Sequence, residues 1–227
     1  MNILAIDSSS QNLSFTCFKN GKVLFDFNRC YRFGASKLVY FLDKNLKKFH
    51  SNLKDIDVLA VGFGPGSFTG LRISYSIIKA FALALDKPVI TVGSFYLMAY
   101  PFTKMHKKIA VISDAKRNLI YACTFVVKNG ELYKEQKEKL TTLEEFIRDK
   151  KDYFFITCDL DLYKTFSNTN LTVNFYQKAV YPKARYALSV IEKMYKKEKF
   201  VNIDKLEPLY LHPKTCQIRA KRIEHSA

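Results

Sequence analysis

Three short apolar runs, each closed by an acidic or glycine residue, punctuate the first hundred positions: ILAI before Asp7, VLAV before Gly62 and VITV before Gly93. Continuous apolar runs of this length, bounded by turn residues, read as strands buried on both faces. After Asp7 the pattern changes. QNLSFTCFK alternates, Asn20-Gly21 carries a strong hairpin signal, and KVLFDFNRC pairs back. Leu38, Phe41, Leu42, Leu46 and Phe49 then recur at helical spacing. After the second run, TGLRISYSIIKAFALAL predicts a strongly apolar helix that ends near Asp86-Lys87-Pro88. The first hundred residues therefore read β-β-β-α-β-α-β.

The second half echoes this order. KKIAVISDAK is a strand that runs into an aspartate, as ILAIDSS does, and NLIYACTFVVKNGELYKEQKE is a second hairpin turning at Asn129-Gly130. TLEEFIRDK, a strand at DYFFITC, and a helix in PKARYALSVIEKMYKKEKF follow, the last with Ala184, Ala187, Leu188, Ile191 and Met194 on one face. A hairpin-rich opening followed by helix–strand alternation departs from the strict alternation of a Rossmann sheet and resembles a ribonuclease H-like, actin-like lobe. The expected fold is α/β: two such lobes, each a mixed sheet flanked by helices. The expected bounds are residues 1–100, 101–212 and a basic tail, 213–227, with the boundary at Tyr100-Pro101-Phe102.

Composition narrows the class. Hydrophobic residues make up 48% of the 227-residue chain and aromatics 15%, which supplies a packed core. The first residues lack a basic n-region, and no stretch approaches the ~18 apolar residues of a membrane span. A soluble, cytoplasmic protein is expected. The five cysteines (17, 30, 123, 158 and 216) contain no CxxC pair and read as free thiols. His50, His106, His212 and His225 form neither HxxxH nor HExxH, so no metal site is expected. The net charge of +16 fits contact with nucleic acid or an acidic partner, and equally a surface solvated by interleaved lysines and glutamates, as in KMYKKEKF.

The candidate chemistry lies in GFGPGSFTGLR, where four of the eight glycines, Gly62, Gly64, Gly66 and Gly70, fall within nine residues. Spacing excludes three common uses. A phosphate loop of the GxxxxGK[ST] kind needs lysine after its last glycine, where Leu71 stands; a GxGxxG fingerprint needs glycine where Ser67 stands; a GxSxG elbow fails on both sides of Ser67. What remains is a strand-to-helix turn with a positive helix end, where Gly64, Gly66, Ser67 and Thr69 could meet an anion. Asp7, Ser8 and Ser9 resemble the opening of an actin-like phosphate loop, with Asp114 at the equivalent place in the second half. Tight packing against a neighbouring lobe explains the same residues, and the two readings do not exclude each other. A two-metal nuclease would need more acids at strand ends than Asp7 and Asp114. No nucleophile–base constellation is visible, and no catalytic residue is assigned.

ILAIDSSS, GFGPGSFTGLRIS with Lys79 beyond it, SDAKRNLIYA and LEPLYLHP occur in an order and spacing that resemble the TsaB (YeaZ) family along essentially the whole chain. The resemblance implies a non-catalytic scaffold and activating subunit in the formation of N6-threonylcarbamoyladenosine in ANN-decoding tRNAs. It implies a paralogous catalytic subunit (TsaD-like) carrying the HxxxH metal site that this chain lacks, and a small ATPase (TsaE-like). A homodimer and an indirect contact with tRNA are further partners it suggests. No cofactor is expected to bind tightly, with ATP or ADP and magnesium as the ligands an actin-like site would take. Gly70, Leu71, Arg72, Tyr75, Ile78 and Lys79 are the partner-interface candidates, because an outward face with Leu71, Tyr75 and Ile78 is too apolar for solvent. Ile73, Ile77, Ala80, Phe81 and Ala84 form a second apolar face, packed internally or joined to a helical bundle. The chain departs from the family at Ala35-Ser36, where a His-Ser pair is usual, at Ser74 and Ala80 in place of glycines, and at Lys116 in place of arginine. The alternative is a free-standing actin-like kinase or ATPase built on Asp7. A peptidase is the weakest reading.

Overall fold

The structure, a computed structural model, describes residues 1–30, 34–167 and 173–212. The proposed tail at 213–227, Cys216 and the side chain of Ala35 lie outside the described residues. The first sheet has the order β3-β2-β1-β4-β5, from β1 (Ile3–Asp7), β2 (Asn12–Lys19), β3 (Lys22–Cys30), β4 (Val58–Gly62) and β5 (Val89–Val92). β1, β2 and β3 pair antiparallel, whereas β4 and β5 continue parallel to β1. The second sheet repeats that order as β8-β7-β6-β9-β10. Its strands are β6 (Lys108–Lys116), β7 (Leu119–Lys128), β8 (Glu131–Thr141), β9 (Phe154–Thr157) and β10 (Asn174–Phe175). The two hairpins use the same turn: Asn20 and Gly21 have φ of 49° and 74°, Asn129 and Gly130 have 52° and 76°. These are the positive values a two-residue hairpin requires.

Burial follows the apolar pattern. All five residues of β1 and of β4 are buried, as expected of strands covered on both faces. On one face of the first sheet lie α1 (Leu38–Lys48), through Leu38, Leu42 and Leu46, and α2 (Phe68–Leu85), through Tyr75, Ile78 and Ala82. The other face is covered by Leu97 of α3 (Ser94–Ala99) and by Ala184, Ala187 and Ile191, at and before α6 (Leu188–Lys196). Phe95, Met98 and Ala99 of α3 pack on the second sheet, so this short helix is shared by both lobes. The far face of the second sheet is closed by α4 (Leu143–Ile147) and, through Leu162, by α5 (Leu160–Ser167).

Besides α5 and β10, which the sequence reading does not contain, three features differ from it. The chain does not stay in the second lobe to residue 212, because Ala184 onward packs on the first sheet and Val201 N–H donates to Val89 C=O at 2.9 Å. α3 was not anticipated: with five of its six residues buried it has no polar face to show periodicity. And α2, at 18 residues, alone among the described helices has the length and apolarity of a membrane span. Six of its eighteen residues are buried, with Tyr75, Ile78 and Ala82 in the core of the first lobe. Among the four described cysteines all are free thiols, with Cys17 and Cys123 buried and Cys30 exposed.

Candidate functional site

The residues expected to receive an anion are brought together, and they are occupied with one another. Asp7 at the end of β1 is wholly buried. Its Oδ1 accepts from Ser9 N–H (2.9 Å) and Ser9 Oγ (2.7 Å), and its Oδ2 from Ser94 Oγ (2.6 Å). Ser94 Oγ in turn accepts from Gly64 N–H at 3.0 Å, tying the glycine loop to the same carboxylate. Burial pushes the Asp7 carboxyl above its ordinary range, against the bonds from Ser94 and Ser9, which pull it down. Ser67 caps α2, its Oγ accepting from Gly70 N–H at 3.2 Å. Its own N–H donates to Ser9 C=O at 2.6 Å, and Ser8 Oγ donates to Gly70 C=O at 2.8 Å.

The glycines permit this contact. A Cβ on Gly66 would stand 2.1 Å from Ser9 O, and one on Gly70 would stand 2.0 Å from Ser8 O. No side chain tolerates either distance. The loop after β1 and the loop before α2 are therefore pressed backbone to backbone, and Ser67 and Thr69 are the candidates left exposed at the helix end. A phosphate or magnesium ion does not fit here: both Asp7 oxygens are engaged, and the space between the loops holds their own peptide groups. Asp114, the expected counterpart, is engaged in its own turn by Lys116 N–H (2.7 Å) and Lys116 Nζ, while its N–H donates to Asp159 at 2.8 Å. Among the described residues no three His, Cys, Asp or Glu side chains group as a metal site.

The partner candidates divide. Gly70, Leu71, Tyr75 and Ile78 are buried, whereas Arg72 is exposed and Lys79 half-buried. The expected outward face thus points inward. The reason is the contact just described: pressing Gly70 onto Ser8 turns residues 70, 74 and 78, and with them 71, 75 and 82, toward the sheet. Tyr75 Oη is buried there without a protein partner. The surface actually presented by α2 carries Phe68 (51% exposed) and Leu83 (70% exposed), with Thr69, Arg72, Ser76, Ala80 and Ala84 also exposed and Ile73, Ile77 and Phe81 half-buried. At its start Arg72 lies 3.8 Å over the Phe68 ring, and its Nε donates to Tyr210 Oη at 3.3 Å. Phe68 and Tyr210 stand inside GFGPGSFTGLR and LEPLYLHP, but the sequence does not single them out, and the exposure of Leu83 depends on the orientation of α2.

The comparisons agree with this architecture. The family model described as TsaD, tRNA N6-adenosine threonylcarbamoyltransferase, matches residues 32–205. The tRNA threonylcarbamoyladenosine biosynthesis protein TsaB of Haemophilus influenzae is 26% identical over 93% of both chains. That of Escherichia coli K12 is 24% identical over 93% of this chain and 94% of its own. The structure of YeaZ from Pseudomonas aeruginosa superposes with a TM-score of 0.80 at 22% identity, covering 92% of this chain and 99% of that one. The chain belongs to the family that this model describes and, within it, to the TsaB (YeaZ) branch.

Proposed function

We propose that the protein is the non-catalytic subunit of an assembly that forms N6-threonylcarbamoyladenosine in tRNA, holding a TsaD-like transferase through the outer face of α2. The observation that carries this reading is the contrast between the two halves of the glycine-loop motif. The loop that could have bound a nucleotide is filled by Ser8 and Ser9, while the helix it launches leaves uncovered a stripe in which Phe68, Ala80, Leu83 and Ala84 alternate with Thr69, Arg72 and Ser76. Such a stripe on a rigid core helix suits a partner helix. The named role of the TsaB relatives in threonylcarbamoyladenosine biosynthesis supports the same conclusion. The glycines are then structural: they let the N-terminal loop brace α2 so that its outer face is held at a fixed angle. A TsaE-like ATPase would join the pair, the work would take place in the cytoplasm, and without the transferase the same stripe would fit a second copy of this chain. A free-standing ATPase is disfavoured by the engaged Asp7.

The test measures threonylcarbamoyladenosine in tRNA from cells depleted of this protein, with and without the wild-type chain restored. The level should fall on depletion and recover on restoration, and the chain should co-purify with the transferase in a stoichiometric complex. An unchanged nucleoside level would overturn the assignment.

A further inference from the structure

The tips of the two hairpins meet α6 at the consecutive residues Glu192 and Lys193. A Cβ on Gly21, in the β2–β3 turn, would stand 3.7 Å from Glu192 Oε1, and Lys193 Nζ pairs with Glu131 at the β7–β8 turn. Lys19 and Lys22 flank the first turn and Lys128 precedes the second, all exposed. The last turn of α6 adds Lys193 and Lys196, and the segment beyond it Lys197 and Lys199, also exposed. Elements from both lobes thus bring seven lysines to one pole, against Glu131, Glu192 and Glu198. One of those lysines is consumed by Glu131.

The end of α6 is held in a fixed shape. Glu198 is left-handed (φ 52°), Lys199 N–H donates back to Met194 C=O at 2.9 Å, and Glu198 N–H to Tyr195 C=O at 2.9 Å. This pair of bonds closes the helix and fixes where Lys199 and Phe200 emerge. Phe200 is 40% exposed and packs on Tyr195 at 5.5 Å, leaving an aromatic surface beside the lysines. In the sequence, KMYKKEKF fits simple solvation as well as binding. The fold changes the balance by adding three lysines from hairpins more than sixty residues away in the chain.

We propose that this pole, formed by the end of α6 and the two hairpin tips, binds the phosphate backbone of RNA. Lysines distributed over several rigid elements suit a polyanion that spans them, and an adjacent aromatic suits a base. The choice of RNA among polyanions rests on the tRNA-directed function proposed above.

The experiment measures binding of the full chain to an unmodified tRNA transcript across a salt series, for wild type and two neutralised variants of equal charge. One is K196Q/K197Q/K199Q; the other, K44Q/K47Q/K48Q on α1, is the control. Circular dichroism melting establishes that both fold. The α6 variant should bind about tenfold more weakly at 0.1 M salt, with a log–log salt slope shallower by about 2 to 3, and the α1 variant should stay within about threefold of wild type. Equal losses in both variants, or none in either, would overturn the proposal, as would loss of binding to phosphatidylserine vesicles with tRNA binding intact. The wild-type chain's rescue of threonylcarbamoyladenosine separates the two readings. Rescue with no α6 effect refutes the RNA surface alone, whereas failure to rescue refutes the proposed function.

Discussion

Asp7 holds the N-terminal loop to the glycine loop at a cost. An ionised carboxylate without solvent is expensive to fold around, and three short hydrogen bonds from Ser9 and Ser94 offset part of that cost. Because burial dominates, the folded protein holds the Asp7 proton more tightly than the unfolded chain does. The stability attached to this group is therefore greatest at and below the unfolded value of about 3.9 and is lost as pH rises through the raised folded value. Asp7→Asn keeps the shape and an acceptor while removing the titration. Urea unfolding of both proteins between pH 4 and 8 should show the wild type losing stability relative to the variant as pH rises, by at most about 1.4 kcal/mol per pH unit. A constant difference across that range would mean that burial leaves the carboxyl unperturbed. The meeting of AIDSSS with GPGSFTG was legible in the sequence as two halves of one site. That they fill each other was not, because so close a backbone approach depends on the relative height of two neighbouring parallel strands.

At the scale of elements, α2 makes two faces from similar residues. Ile78 is fully buried and Leu83 is 70% exposed, five positions apart on one helix. Leu83→Glu should change stability by less than about 0.5 kcal/mol, since the side chain is 70% exposed among the described residues. It should also abolish co-purification with the transferase. Ile78→Glu places a charge in the core and should remove the folded state, a loss of more than about 4 kcal/mol. Thermal melts and pull-downs on the pair check both halves, and a folded Leu83→Glu chain that still binds would place the interface elsewhere. The inward face was misread because periodicity fails on a helix apolar nearly all round. Small residues decided the matter instead: Gly70 faces inward because the Ser8 backbone leaves room for nothing larger, and Ser74, one turn on, is buried with its Oγ bonded back to Leu71 C=O. α1, with a single apolar stripe, was legible without the structure.

At the scale of the molecule, the two sheets are joined by more than the α3 linkage. Tyr176 and Val180 extend beside β9 through bonds to Phe155 C=O and Thr157 C=O, and the chain then crosses so that Ala184 N–H donates to Ser14 Oγ at 2.8 Å. A second return follows α6. Leu206 is buried in the core under α1 and α2, Leu209 N–H donates to Phe63 C=O at 2.9 Å, and Tyr210 packs on Phe68. His212 Nε2 then meets Ala115 C=O at 2.9 Å in the second lobe. LEPLYLHP was legible as extended, but its path was not, since an extended segment without alternation carries no record of which surface it crosses. The geometry makes it a strap whose two ends hold different lobes over the glycine loop, with Lys134 of β8 reaching the Phe63 ring at 5.1 Å beneath it. Truncation after Glu207, compared with truncation after His212, removes the strap while keeping Leu206. Amide exchange should then accelerate in two separated places, Gly64–Gly70 and Ala115–Asn118, while β1 and β6 keep their protection, and stability should fall by about 1 to 3 kcal/mol. Acceleration confined to the glycine loop would show that His212 holds nothing and that the segment belongs to the first lobe alone. Acceleration at both ends would identify a clasp, and with it a reason why the outer face of α2 keeps one orientation while the second lobe is carried along with it.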